Sequence, residues 1–281
     1  VVFPQLAEDF QLKVFDTFQR LKPRPYQETS VLIVDIDEES LTKIGQWPWP
    51  RTKLAQLTDK LRDGGAAAIA FDIVFAEPDR TSPNQIIPLW SGAANFDAVR
   101  NQIQSFPDHD KIFAENLAKG RVVLGFSLTN QARSKPPPVK AAPAISGVSP
   151  IAQLDRFRGA ISNLESFDKA TAGIGSFNML AESDGIIRRV PLLFRLEDAI
   201  YPSLVTEALR VAQDASTYIL KTAGGSGENS GEDRDKIVSL KIGQLIIPTD
   251  AKGRIWLYDS GPVAKRFIPA WKIFSGDISP E

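Results

Sequence analysis

Val31-Leu-Ile-Val-Asp-Ile-Asp-Glu-Glu-Ser-Leu41, then Trp47-Pro-Trp-Pro-Arg51, then Ala67-Ala-Ile-Ala-Phe-Asp-Ile-Val-Phe-Ala-Glu-Pro-Asp79 is the stretch that decides the fold. Two apolar runs each end in carboxylates, and a doubled Trp-Pro lies between them. Val31 to Ile36 is almost continuously apolar, the pattern of a strand buried on both faces. Asp37 is placed to cap a short helix that opens with Glu38 and Glu39, where acids suit the helix dipole. Pro50 stands at the start of a second helix carrying Leu54, Leu57 and Leu61, which Gly64 and Gly65 end. Ala67 to Phe75 reads as a second buried strand. Strand, helix, strand in that order predicts a right-handed βαβ unit with the two strands parallel and central.

The rest of the chain is read outward from this core. Upstream, Leu6, Phe10, Val14, Phe18 and Leu21 recur at helical spacing, and Pro23 and Pro25 end that helix. It either packs on the domain or leads out of a membrane span, and the two are compatible. Downstream, Glu77 to Pro107 is a polar insertion, Asp108 caps a helix, and Val122 to Leu128 is a third strand. Asn130 to Pro150 reads as an extended surface loop. Asp184-Gly185 is a turn followed by a strand from Ile186 to Leu196, in which Pro191 marks an edge or a bulge. Pro202 opens a helix, Ala223 to Asp235 reads as a Gly-rich and acidic loop, and the last strands look antiparallel. The expected fold class is α/β, with α+β character in the C-terminal half. It has a mixed sheet around a parallel βαβ core, helices on both faces and a late antiparallel portion.

Composition removes several functions. The 281 residues hold 33 Lys+Arg against 34 Asp+Glu, and no basic run of the kind a nucleic-acid binder needs appears. There is no cysteine, which excludes disulfides, thiolate nucleophiles and cysteine zinc sites. The single histidine, His109, reads as an exposed residue in the first turn of its helix. No apolar run reaches the roughly 20 residues of a membrane helix. The chain opens on Val1 and reads as a piece of a longer protein.

The order and spacing of Asp35-Ile-Asp-Glu38, Trp47-Pro-Trp-Pro-Arg51 and Phe71-Asp-Ile-Val-Phe-Ala-Glu-Pro-Asp79 resemble the CHASE type-2 domain, the second class of sensory domains associated with cyclases and histidine kinases. Ser176-Phe-Asn, Asp184-Gly-Ile-Ile-Arg-Arg-Val-Pro-Leu192, Tyr201-Pro-Ser-Leu-Val-Thr-Glu-Ala and Ile247-Pro-Thr-Asp-Ala-Lys-Gly-Arg254 extend the likeness from about Val31 to Gly276. The resemblance implies an extracytoplasmic, periplasmic sensor in an inner-membrane signalling protein of bacteria. It would be held to the membrane by flanking transmembrane helices and have no catalysis of its own. An adenylate or guanylate cyclase is the expected output, with a histidine kinase or Ser/Thr kinase as alternatives, and a homodimer is expected in the parent. Residues 1–22 would be a juxtamembrane helix and 23–281 the sensor, which stops one strand short of the family pattern.

Asp35, Asp37, Asp72, Glu77 and Asp79 fall at or just beyond two strand ends, where ligands bind in open parallel sheets. Arg51, Arg188 and Arg189 are candidate partners for them, and Trp47 and Trp49 a candidate apolar wall. The signal itself is an unnamed small molecule or ion. Asp35 and Asp72 are the metal candidates, for a divalent cation. Capping and ion pairing by the same acids, and a loop-locking role for the Trp pair, stand beside this reading. Arg188 and Arg189, adjacent in a strand, are expected to point to opposite faces. A distant enzyme alternative is a haloacid-dehalogenase-type phosphatase built on Asp35 and Asp37.

Overall fold

The computed structural model describes residues 4–90, 92, 96–132, 135–226, 233–258, 260–261 and 263–277. They begin with helix α1 (Pro4–Leu21), strand β1 (Ile33–Asp35) and helix α2 (Glu38–Ile44). Helix α3 (Arg51–Asp63) and strand β2 (Ile69–Phe71) lead into α4 (Pro83–Trp90), α5 (Phe96–Gln104) and α6 (His109–Leu117). Strands β3 (Val122–Thr129), β4 (Ala144–Ser146), β5 (Arg156–Phe157) and β6 (Gly159–Ile161) precede α7 (Glu165–Ala170) and β7 (Gly173–Ser176). Strands β8 (Arg189–Pro191), β9 (Leu193–Leu196) and β10 (Ala199–Pro202) run up to α8 (Leu204–Ala212). Strands β11 (Tyr218–Thr222), β12 (Ile237–Ile242), β13 (Leu245–Pro248), β14 (Arg254–Trp256) and β15 (Phe267–Pro269), then α9 (Ala270–Ser275), complete the described elements. The fold is mixed α/β with parallel and antiparallel pairing. No described helix is long and apolar enough to cross a membrane.

The described residues divide into two units. Within them, one comprises 4–45, 181–189 and 256–277, and the other 46–180 and 190–255. The larger unit is organised on β3. Val122, Val123, Leu124 and Phe126 are fully buried, as a strand with elements on both faces requires. β2 pairs with it in parallel through Ile69 and Val122. β7 pairs in parallel through Val123 and Gly173, and β6 joins its far end antiparallel. Helix α8, capped by the Ser203 side chain at Thr206 N, packs on β7. The late strands supply the antiparallel portion: β11, β12 and β13 form a meander, and β9 and β10 a hairpin. Short parallel additions, β4 on β11 and β5 on β9, extend those sheets.

The smaller unit has its own parallel pair. β1 lies beside β15, with Ile33 opposite Phe267 and Asp35 opposite Pro269. Each strand is followed by a short helix, and α2 and α9 pack together. Asp37 caps α2 by accepting from Ser40 N at 2.8 Å. Ser40 is itself buried and accepts from Trp271 N through its hydroxyl at 3.1 Å.

Several expectations are corrected. β1 and β2 are not neighbours: each pairs elsewhere, because an apolar run announces a strand but not its partner. The partner of β1 is the three-residue segment Phe267-Ile-Pro269, too short to stand out in the sequence. β1 is also not buried on both faces. Val31, Leu32 and Ile33 are exposed, since a two-stranded sheet leaves apolar faces open. The loop expected from Asn130 to Pro150 contains β4. The single strand expected from Ile186 to Leu196 is split into β8 and β9 at Leu192, directly after Pro191. Residues 227–232 of the loop expected at Ala223 to Asp235 lie outside the described residues.

Close approach of α8 to β7 depends on missing side chains. A Cβ on Gly175 would lie 2.6 Å from Leu204 Cα and 2.7 Å from Ser203 O, which are backbone atoms that cannot swing aside. Gly175→Ala is therefore expected to cost about 1–3 kcal/mol or more of stability, read as a lowered urea midpoint. Gly92→Ala, where a Cβ meets nothing within 4 Å, should leave the midpoint unchanged.

Candidate functional site

Asp72 follows β2 directly and is exposed, as is Glu77. Asp79 is the exception among the acids of this strand end, only 5% exposed. Its burial has a local cause. The first turn of any helix leaves backbone N–H groups without partners. Pro50 occupies the cap position of α3 and offers no side-chain acceptor. Asp79 Oδ2 takes the Arg51 N–H at 2.7 Å in its place. Asp79 Oδ1 accepts from Thr81 N and Oγ1 at 2.8 and 2.7 Å, which folds the turn after the strand. Burial acts against the Asp79 charge, but the Arg51 and Thr81 donors outweigh it and hold the carboxyl below its usual range.

Arg51 lies in the same buried group. Its guanidinium donates to Glu77 O at 3.2 Å and stacks 4.5 Å from the Phe75 ring centroid. Its Nε is 3.5 Å from Asp110 Oδ1. Asp110 Oδ2 in turn accepts from Asp79 N at 3.0 Å. Burial pushes the Asp110 carboxyl up, against the pull of that hydrogen bond and of Arg51. His109 is not the exposed residue expected from the sequence: its ring is partly buried, with Nδ1 3.2 Å from both Asp79 Oδ2 and Thr81 Oγ1. Two further buried acids had no sequence signal. Glu207, inside α8, pairs with Arg210 and accepts from the Tyr218 hydroxyl. Asp168 accepts from Asn163 Nδ2, and burial raises its carboxyl to about 6.

In the smaller unit, Asp35 ends β1 and is exposed, and Asp37 is committed to capping α2. Arg188 is 3% exposed. Its Nε and Nη2 donate to Asp16 at 2.7 and 2.6 Å, and its Nη1 and Nη2 to Asp184 at 2.9 and 2.8 Å. Asp184 also accepts from Ile186 N, which sets the turn through Gly185 at φ 82°. The Arg188 hydrogen bonds hold Asp16 below the usual carboxylate range and Asp184 down to about 2. Arg189 donates to Glu182 at 2.6 Å and to Glu8 at 2.8 Å, and lies over the Trp256 ring. Phe15 packs on that same Trp256, with ring centroids 4.6 Å apart. Arg188 and Arg189 thus do not diverge to opposite faces. Both reach acids of α1, Asp16 and Glu8, because Arg188 precedes β8 and is free of strand alternation. Asp16 and Glu8 were hidden in the sequence among ordinary polar positions of an amphipathic helix.

The candidate residues therefore fall into two groups. Arg51, Asp72, Glu77 and Asp79 lie in the larger unit, and Asp35, Asp37 and Arg188 in the smaller. Trp47 and Trp49 meet edge-on at 5.8 Å in the larger unit. Trp49 is buried in the core and Trp47 is half-buried. Among the described residues, no group of three or more His, Asp or Glu is arranged to hold a metal ion.

Arg51 is the cation of a buried group with two acids. Removing one partner of such a pair leaves charge uncompensated. Arg51→Ala is expected to lose about 3–5 kcal/mol at neutral pH, measured by chemical denaturation. The deficit should shrink as pH falls, because Asp110, already raised by burial, then takes up a proton and is no longer an orphaned anion.

The family model of the CHASE2 domain matches residues 1–281, the whole chain. Searches of curated proteins and of solved structures found no match. The chain belongs to the CHASE2 family, sensory extracellular domains of signalling proteins that are not themselves catalytic.

Proposed function

We propose that this chain is the periplasmic input domain of a bacterial inner-membrane signalling protein that works as two copies and controls a cytoplasmic output domain. A nucleotide cyclase is the output this reading favours, ahead of a histidine kinase or Ser/Thr kinase. Helix α1 is the juxtamembrane element that carries the signal, and residues 23–281 are the sensor. The observation that carries this reading is the hold on α1. Two successive arginines grip two acids of one helix, a contact whose release would free that helix. A ligand shifts the balance between hold and release only by binding one of them better.

The signal site in this reading lies at the carboxyl end of β2. Asp72 and Glu77 are exposed there, and Arg51 and Asp79 fix the loop that carries them. The exposed pair suits a ligand bearing an ammonium group or a divalent cation. Asp35, exposed at the end of β1, is the corresponding candidate in the smaller unit.

Protease added to spheroplasts expressing the protein that carries this chain is expected to cut within residues 1–281 while the output domain stays intact. Protection of residues 1–281 would overturn the topology.

A further inference from the structure

Helix α1 has two apolar faces, and among the described residues the inner one makes the hydrogen-bond, ion-pair and ring contacts to the rest of its unit. Glu8, Leu12, Phe15, Asp16 and Gln19 fall on one side. Leu12 is 3% exposed, Phe15 meets Trp256, and Gln19 donates to Leu257 O at 3.1 Å. Glu8 and Asp16 hold the arginines. On the opposite side lie Phe10, Val14, Thr17, Phe18 and Leu21. Phe10 is 69%, Phe18 64% and Leu21 76% exposed, Thr17 is exposed, and Val14 is half-buried. A helix anchored by one apolar face has no internal reason for a second. Leu6, part of the same periodic stripe, lies among residues whose side chains are not described.

The spacing of this outer face says what fits it. Phe10, Val14, Thr17 and Leu21 are separated by four, three and four residues, the seam of a left-handed helix pair, with Phe18 beside it. A membrane surface needs no such register. The flanks give the direction. Lys13 and Arg20 border the seam on one side, and Gln11 and Phe18 on the other. In an antiparallel pair each flank meets its own kind, so Lys13 would oppose Arg20 and repel it. In a parallel pair Lys13 meets the partner's Phe18, where its methylenes cover the ring and its ammonium faces the π surface.

We propose that the outer face of α1 is a self-association surface on which α1 of a second copy packs in parallel. The proposal rests on the two-copy part of the reading above and names its contact. The arginine hold then places the inner face while the second copy places the outer one, so any movement of α1 is felt by both copies. The seam is short, and the contact is weak unless the two helices are brought together by the rest of the protein.

The chain has no cysteine, so one introduced thiol reports one position. Phe10→Cys, Val14→Cys, Thr17→Cys and Leu21→Cys are each placed singly in an otherwise cysteine-free version of the protein carrying this chain. Intact cells are then oxidised with copper phenanthroline. Disulfide-linked dimer is expected from all four, on the order of tenfold faster than from Asp9→Cys on the side of the helix, because held thiols have a high effective concentration. Adding Phe18→Lys, which sets like charge against the partner's Lys13, should abolish crosslinking through Leu21→Cys. Crosslinks at Val14 and Thr17 without Phe10 and Leu21 would mean an antiparallel pair and overturn the proposal. Equal rates at Asp9 would mean random collision, and no crosslink at any position would mean that something other than a second copy covers the face; each overturns it. Protease protection reads topology separately, so failure here is distinguishable from failure of that reading.

Discussion

Arg188 carries a full positive charge at a site almost closed to water, and two carboxylates make that tolerable. Asp16 and Asp184 supply four short donor–acceptor contacts to one guanidinium, a fork geometry that lysine could not match. The position of α1 follows from this pairing. Its remaining inner contacts, Glu8 with Arg189 and Phe15 with Trp256, fall into line once Asp16 is fixed. Removing one member of such a group strands the others, so the hold is all-or-none in character. The sign of its pH dependence is also set. Asp16 and Asp184 are depressed in the folded protein, so their contribution is present above the usual carboxylate range. It is lost progressively as pH falls below that range through their depressed folded values, about 2 for Asp184. Mild acidification therefore does not release α1 at this point, whereas a ligand or movement that competes for the arginines would.

The larger unit shows the same economy in a different place. Asp79 looks like a ligand residue in the sequence and serves as a remote helix cap because Pro50 cannot be one. Arg51 then completes a buried group with Asp110, and His109 closes over it. What stays exposed at the strand end is Asp72 and Glu77, on a loop tied down by the Arg51 and Asp79 hydrogen bonds.

The parts legible in the sequence were those set by local chemistry. Asp37 as a cap before Glu38 and Glu39, the turn at Asp184-Gly185, and the strand Val122 to Leu128 all depend on neighbours in the chain. The parts that were not legible depend on distant partners. Nothing near Val31 announces that β1 pairs with Phe267-Ile-Pro269, and nothing near Arg51 announces an acid 28 residues on. His109 lies between two aspartates, which suggested an exposed helix start; the contact that half-buries it comes from the turn at Asp79 to Thr81. Arg188 and Arg189 were visible as candidates, but their acids were not, because Glu8 and Asp16 have the same look as any solvated position on a helix.

The central claim is that α1 is a separately held element whose grip is Arg188. Amide hydrogen exchange in the wild type and in Arg188→Met tests it directly. The account predicts that α1 amides lose protection in the variant while those of β3 keep theirs, since local opening and global unfolding report different parts of a structure. Unchanged protection in α1, or loss in α1 and β3 together, would contradict it.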